Sequence, residues 1–299
     1  ILTLNPIKNL YMGVNLVLIM IYAFYRILYG EDFIKESLNS ILPHVDKVFV
    51  FWTDKFFGDV SEVIYKNELI KFPEKIDNVI EVIREMNNPK IELIYDHRPN
   101  NENHFTERVN TYILPHHPKP DYILFMEPDF IYPTEDFKLA LTEMQPLIKQ
   151  GYYWFSTSQI EYWKTPKYTV PRMGDRLSAI WWYIKDLKQI PPTGFHANVH
   201  DREKFAWLKS RTHNLGFCVS DNAMFWKHMG SLAYSNLIND AFPNEMWYEE
   251  KWKDWVYDHN GKNYEISLGE EHMIPFISIS DELDWIDLPE ELLERFELY

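Results

Sequence analysis

Glycine is scarce and scattered in this chain: the ten glycines stand at positions 13, 30, 58, 151, 174, 194, 216, 230, 261 and 269, no two within seven residues of each other. There is consequently no G-x-G-x-x-G fingerprint, no P-loop and no G-x-S-x-G nucleophile elbow. A bound phosphate has to be held by side chains, by a metal or by ordinary loop amides. Cys218 is the one cysteine, which excludes an intramolecular disulfide, a cysteine-rich zinc site and a dithiol redox pair. Positive charge is also in deficit, with 30 Lys plus Arg against 45 Asp plus Glu and a formal net charge of −15. Nucleic acid is not an expected partner of such a surface. Long apolar runs are missing too. The most apolar stretch, Leu10 to Leu28, is interrupted by Asn15 and Arg26, and its clean part, Leu16 to Phe24, falls short of the ~20 residues that span a bilayer. A buried parallel strand explains it better than a membrane anchor, so membrane association is not expected and a cytoplasmic location is.

What the chain does have is apolar and aromatic mass. Of 299 residues, 46% are hydrophobic and 16% aromatic, enough for a sizeable core and too much for a disordered chain. From Leu10 to Asp129 strand-like and helix-like segments alternate. The apolar strand is followed by EDFIKESLNSILPH with Phe33, Ile34, Leu38, Ile41 and Leu42 at helical spacing, then by VDKVFVFWTD, a strand ending at Asp54. A helix is expected over Pro73 to Met86, a strand over Ile91 to Arg98, a helix around Arg108, and a strand in PDYILFMEPD. Such βα alternation implies a mainly parallel sheet flanked by helices. Ligands of these sheets lie beyond the carboxyl ends of the strands. That singles out Asp54, Asp96, Arg98, Glu127 and Asp129. Beyond Tyr132 the alternation weakens, and nine of the eleven tryptophans fall between Trp154 and Trp255. Large aromatics pack cores; the strip Trp154, Trp163, Trp181 and Trp182 also has the chemistry to stack on a sugar acceptor. DELDWIDLPEELLERFELY at the end reads as an acidic amphipathic helix, a packing or dimerisation element.

The most informative short motif is Glu127-Pro128-Asp129, directly after the strand YILFM. Two carboxylates at i and i+2 on a strand end can point into one crevice, and a hard divalent cation carrying a phosphate needs such oxygen ligands. From this motif outward the chain resembles the inverting family 2 glycosyltransferases with the GT-A fold, over roughly residues 14 to 275. The resemblance rests on GEDFIKESLNSILPHVDKVFVFWTD, on the helix bearing Arg108 and Asn110, on DYILFMEPD, and on a later order of Glu249-Glu250, HNGKNYEIS and GEEH.

The resemblance implies a GT-A, Rossmann-like domain over residues 11–276, divided into a nucleotide-sugar half (11–135) and an acceptor half (136–276), with 277–299 as a helical extension. It implies a metal-dependent hexosyltransferase that moves a sugar from a nucleotide-diphosphate donor, UDP-sugar favoured, to a saccharide or glycan hydroxyl. Asp129 and Glu127 would hold Mn²⁺ or Mg²⁺, with His272 as a third ligand; His196, His200 and His228 compete with it. The metal would neutralise the departing diphosphate. Glu250 would be the catalytic base, with Glu249 beside it and Asp221 as the alternative. Asp54 would bond the donor base, and Asp96, Arg98 and Arg108 would line the same pocket. Arg172 and Arg176 are candidates for clamping a diphosphate or an anionic acceptor. Two other classes stay open: a catalytically silent GT-A-like domain that binds glycans or protein, and a glycoside hydrolase using Glu127 and Glu250 as its carboxylate pair. A retaining transferase is open as well, and an oligomer through the C-terminal helix fits the amphipathic pattern.

Overall fold

The computed structural model describes residues 19–99, 105–170, 178–190, 202–237, 245–255 and 286–297, together with the pairs 266–267, 273–274 and 278–279. Strand β1 (Ile21–Ile27) is buried along its whole length, as a central parallel strand must be. Helix α1 (Ile34–Ile41) buries Ile34, Leu38 and Ile41, a single stripe at helical spacing. Strand β2 (Lys47–Trp52) then returns parallel to β1.

Before the next sheet strand the chain makes a detour. Strands β3 (Glu62–Tyr65) and β4 (Glu68–Lys71) form an antiparallel hairpin outside the main sheet. Its turn residues Lys66 and Asn67 have φ of 51° and 63°, the left-handed pair that suits a two-residue hairpin turn. Helix α2 (Val79–Glu85) begins at Val79 rather than at Pro73, because Asp77 accepts a hydrogen bond from the Val79 amide and residues 73 to 77 line a cleft instead. Strand β5 (Ile91–Tyr95) pairs parallel with β2. Helix α3 (Phe105–Arg108) runs into a π-helical turn at Val109–Ile113, and β6 (Tyr122–Met126) pairs parallel with β1 on its other side.

The second half supplies β7 (Phe130–Ile131), α4 (Thr134–Lys149), β8 (Trp154–Trp163), β9 (Thr165–Val170), β10 (Ile180–Tyr183), β11 (Phe205–Phe217) and α5 (Asp221–Leu237). It closes with the short strands β12 (Ile266–Ser267), β13 (Met273–Ile274) and β14 (Ser278–Ile279) and a helix at Glu290–Arg295. Among the described residues the main sheet has ten strands: eight follow the order β14-β9-β8-β10-β6-β1-β2-β5, and β11 pairs with both β8 and β7. Its block β6-β1-β2-β5 is parallel, and β10 joins it antiparallel between β6 and β8. The molecule is a mixed α/β structure with a Rossmann-like parallel block flanked by helices.

Strand alternation divides the core between the two sheet faces. Ile21, Ala23, Tyr25 and Ile27 pack with α1, α2 and α4, while Tyr22 and Phe24 pack on the opposite face with Val109 and Ile113. Trp154, Trp163, Trp181 and Trp182 are at most 1% exposed. That corrects the expectation of an acceptor-binding strip: their rings are core. Leu288 and Leu292, flanking the start of the C-terminal helix and within it, are buried against Phe33, Ile131, Tyr162 and Leu215 of the same chain. Among the described residues no helix is long and apolar enough to cross a membrane.

Candidate functional site

The carboxyl ends of β1 and β2 open into a cleft of about 230 Å³. Ile27 and Leu28 line it at the end of β1 and Trp52, Thr53 and Asp54 at the end of β2, and Pro73 to Asp77 and Arg84 are among the residues that face them. This is where a parallel α/β sheet places its ligands. Asp54 is exposed and accepts a 2.9 Å hydrogen bond from the Tyr95 hydroxyl, whose ring lies 4.7 Å from that of Trp52. The Thr53 hydroxyl donates to the Arg98 carbonyl at 2.9 Å, which ties the end of β2 to the loop after β5.

One turn joins this cleft to the Glu127-Pro128-Asp129 motif. Asp77 accepts from the amides of Gly30 (2.7 Å) and Glu31 (2.9 Å) as well as from Val79 (3.0 Å). Burial raises its carboxyl above the ordinary value, and those three amides oppose the rise. Glu31 answers by accepting from the Asn78 amide at 2.8 Å. Gly30 has φ of +142°, and a Cβ there would stand 2.6 Å from the Pro128 Cβ. Only glycine suits both the backbone angle and the space. Beside it, Tyr29 faces Asp129, Glu127, Arg26 and Asp77; burial first, and then the carboxylates, raise its hydroxyl above the usual tyrosine range.

Within the motif, Glu127 is bound by the Arg26 guanidinium at 3.0 Å. The Asp129 carboxylate lies 3.7 Å from Lys227 Nζ on α5, and Lys227 also donates to the Gly216 carbonyl at 3.0 Å. A Cβ at Gly216 would approach Asp129 Oδ2 to 2.7 Å. The donor set for a divalent cation is therefore short: both carboxylates already face a cation, and among the described residues no group of three or more His, Cys, Asp or Glu side chains is assembled to hold a metal ion. His272 lies outside the described residues, as do Arg172, Arg176, His196 and His200. His228 is buried and bonded to the Glu245 carbonyl at 3.1 Å.

Asp96, Arg98 and Arg108 lie among one another rather than along the cleft. Alternation from Phe24 and Phe125 carries Arg26 and Glu127 onto the sheet face of α3, opposite the one that Trp52 packs on. There Asp96, only 1% exposed, receives Arg98 through Nε and Nη2, both at 2.8 Å, and Arg108 through Nε at 2.5 Å. Burial alone would raise the Asp96 carboxyl, but the two guanidinium groups overcome it and hold it well below the usual carboxylate range. Arg108 is depressed by its burial, with Asp96 opposing.

The acidic pair sits on a π-helical turn, Tyr248–Lys253. Glu249 accepts from the Tyr65 hydroxyl of the hairpin and from Lys66 Nζ at 2.6 Å; burial opposes, but those two partners keep its carboxyl below the ordinary value. Glu250 is exposed on the same turn. Asp221 is exposed at the first residue of α5, and its carbonyl accepts from the Tyr248 hydroxyl at 3.5 Å.

Tyr29, Asp77 and Lys227 belong to this region without standing out in the sequence, and Arg26 shows there only as a polar break in an apolar run. Period-2 alternation combined with the strand-end rule was the signal available for Arg26; the other three depend on contacts between distant segments.

No family model matches the chain, and no curated protein does. Solved structures to which part of it is similar include mannose-6-phosphate isomerase from Helicobacter pylori (10% identity, 55% of this chain and 71% of that one, TM-score 0.33). Others are the inositol-1-phosphate CTP transferase from T. maritima (9%, 70% and 95%, TM-score 0.36) and the apo-form glycosyltransferase GlyE of Streptococcus pneumoniae TIGR4 (12%, 64% and 45%, TM-score 0.31). At this level of similarity the chemistry of the chain rests on its own residues.

Proposed function

We propose that the chain is a glycosyltransferase of the GT-A type, transferring a hexosyl group with inversion from a nucleotide-diphosphate sugar, UDP-sugar favoured, to a hydroxyl of a saccharide or glycan. The observation that supports this most is the cleft at the carboxyl ends of β1 and β2, joined through the Tyr29–Glu31 turn to the Glu127-Pro128-Asp129 motif. Residues 11–135 would hold the donor and 136–276 the acceptor. In the cleft Asp54 offers an exposed acceptor to the N–H of a nucleobase, and Trp52 and Tyr95 place apolar rings beside it. Lys227, close to Asp129, is placed to offset diphosphate charge. The acceptor oxygen attacks the anomeric carbon, the bond to the diphosphate oxygen breaks, and the acceptor proton passes to a carboxylate. Glu249 is committed to Tyr65 and Lys66, which favours Glu250 as that carboxylate. Mn²⁺ or Mg²⁺ enters this reading as a dependence to be measured, because Glu127 and Asp129 each already face a cation.

Release of nucleoside diphosphate from a panel of sugar nucleotides, with oligosaccharide acceptors, tests the reading. One donor is expected to turn over. Glu250→Gln is expected to cut transfer by about 100-fold or more while leaving nucleotide affinity unchanged. Full activity in Glu250→Gln would move the base elsewhere, to Asp221 first. Nucleotide binding without turnover of any donor would favour the silent binding domain.

A further inference from the structure

The turn that joins the cleft to the acidic motif is also gripped from the far end of the chain. Arg295, on the C-terminal helix, donates through Nη1 to the Asp32 carbonyl at 2.5 Å and through Nη2 to Glu36 at 3.0 Å. Its guanidinium lies 5.2 Å from the centre of the Phe33 ring, which also meets Phe296 at 6.3 Å. The first turn of α1 has no side-chain cap at Phe33, so this bridge from Asp32 to Glu36 is a restraint that the local sequence does not supply. The Asp32 carboxylate in turn accepts from the amide and hydroxyl of Ser220 at 3.0 and 3.1 Å, immediately before the helix that carries Lys227. One and two residues upstream of Asp32 are the Glu31 and Gly30 amides held by Asp77, and the Gly30 Cα fits against Pro128.

We propose that Arg295 is a positioning residue for the donor cleft: the segment 286–297 fixes the turn 29–33, and through it the spacing of Tyr29, Asp77 and Pro128 on which nucleotide affinity depends. The proposal rests on the transferase reading. Leu288 and Leu292 anchor the segment in the core, whereas the Arg295 side chain is 44% exposed, so its removal loosens the grip without unfolding the anchor.

The test is calorimetric titration with UDP plus Mn²⁺, alongside hydrogen exchange of the Gly30 and Glu31 amides, in the full chain. Arg295→Ala is expected to weaken UDP by about tenfold and to speed exchange at both amides. Arg295→Lys, which can still reach one acceptor, is expected to recover part of each. Arg211→Ala, which removes an exposed ion pair to Asp287 but leaves the Leu288 and Leu292 anchor and the Arg295 contacts in place, is expected to change neither. Equal UDP affinity in Arg295→Ala and the unmutated protein overturns the proposal, as does unchanged exchange at Gly30 and Glu31. If the unmutated protein binds another nucleoside diphosphate in place of UDP, the same comparison is made with that one; absence of binding of UDP, GDP, CDP and ADP alike overturns the transferase reading itself, and with it the role given to Arg295.

Discussion

Asp96 and Arg108 are each 1% exposed and bonded to each other, so neither charge has water to fall back on. Taking away one member of such a pair costs about 3–5 kcal/mol, because the other is left buried and unpaired. Asp96→Asn is therefore expected to lower the urea midpoint steeply with an unchanged denaturant slope; a shift of a few tenths of a kcal/mol would contradict the network. Gly216→Ala makes a different demand. The added Cβ would sit 2.7 Å from Asp129 Oδ2 and 2.9 Å from Asn214 Oδ1, so Asp129 has to move, and transfer is expected to fall while the midpoint changes little. Normal transfer in that variant would mean that the Asp129 position is not critical. At this scale the strand-end carboxylates Asp54, Glu127 and Asp129 were legible, since a strand's last residues are visible in sequence. Tyr29 and Asp77 were not, because what makes them matter is a turn meeting a segment 47 positions away, as in the bond from Gly30 to Asp77.

Among the elements, the parallel strands followed from their own composition. IYAFYRI is apolar on both faces but for Arg26, YILFM without exception, and both are fully buried. The hairpin β3–β4 is not legible in the sequence because its outer face is Glu62, Ile64, Leu69 and Lys71, which gives no clean alternation, and only Val63 and Tyr65 are buried, against α5. The tryptophans of the second half misled for a related reason: composition says that rings are present, and only packing says that they point inward. The hairpin is tied to the π-helical turn by Tyr65 and Lys66 on Glu249. Tyr65→Phe removes one of these bonds and leaves the ring packing. Tryptic cleavage after Lys66 is expected to accelerate in that variant; an unchanged rate would show that the tie does not hold the hairpin.

For the molecule as a whole, two buried histidines contribute to the acid response between about pH 6.5 and 4.5. Burial, reinforced by Lys138 and Lys90, lowers His44 to about 4, and burial with Arg211 nearby lowers His213 to about 3. Both folded values lie below the unfolded one near 6.5. The unfolded chain thus takes up these protons first, and stability present above about pH 6.5 is lost as pH falls toward the folded values, by up to about 1.4 kcal/mol per pH unit for each group. Asp77 and Asp136, raised by burial, pull the other way. His213→Asn, which keeps an acceptor for Tyr162, isolates the histidine contribution: its midpoint is expected to fall less between pH 6.5 and 4.5 than that of the unmutated protein, and parallel curves would contradict the assignment.

The proposed function requires that the cleft at the ends of β1 and β2 take a nucleoside diphosphate. Thermal unfolding of the purified chain against UDP, GDP, CDP and ADP, each with and without Mn²⁺, tests it most directly, since a ligand that binds only the folded state raises the midpoint. The account predicts a rise with one nucleotide, UDP first, that is lost in Asp54→Ala and in Asp129→Ala. No rise with any of them at saturating concentration would contradict it.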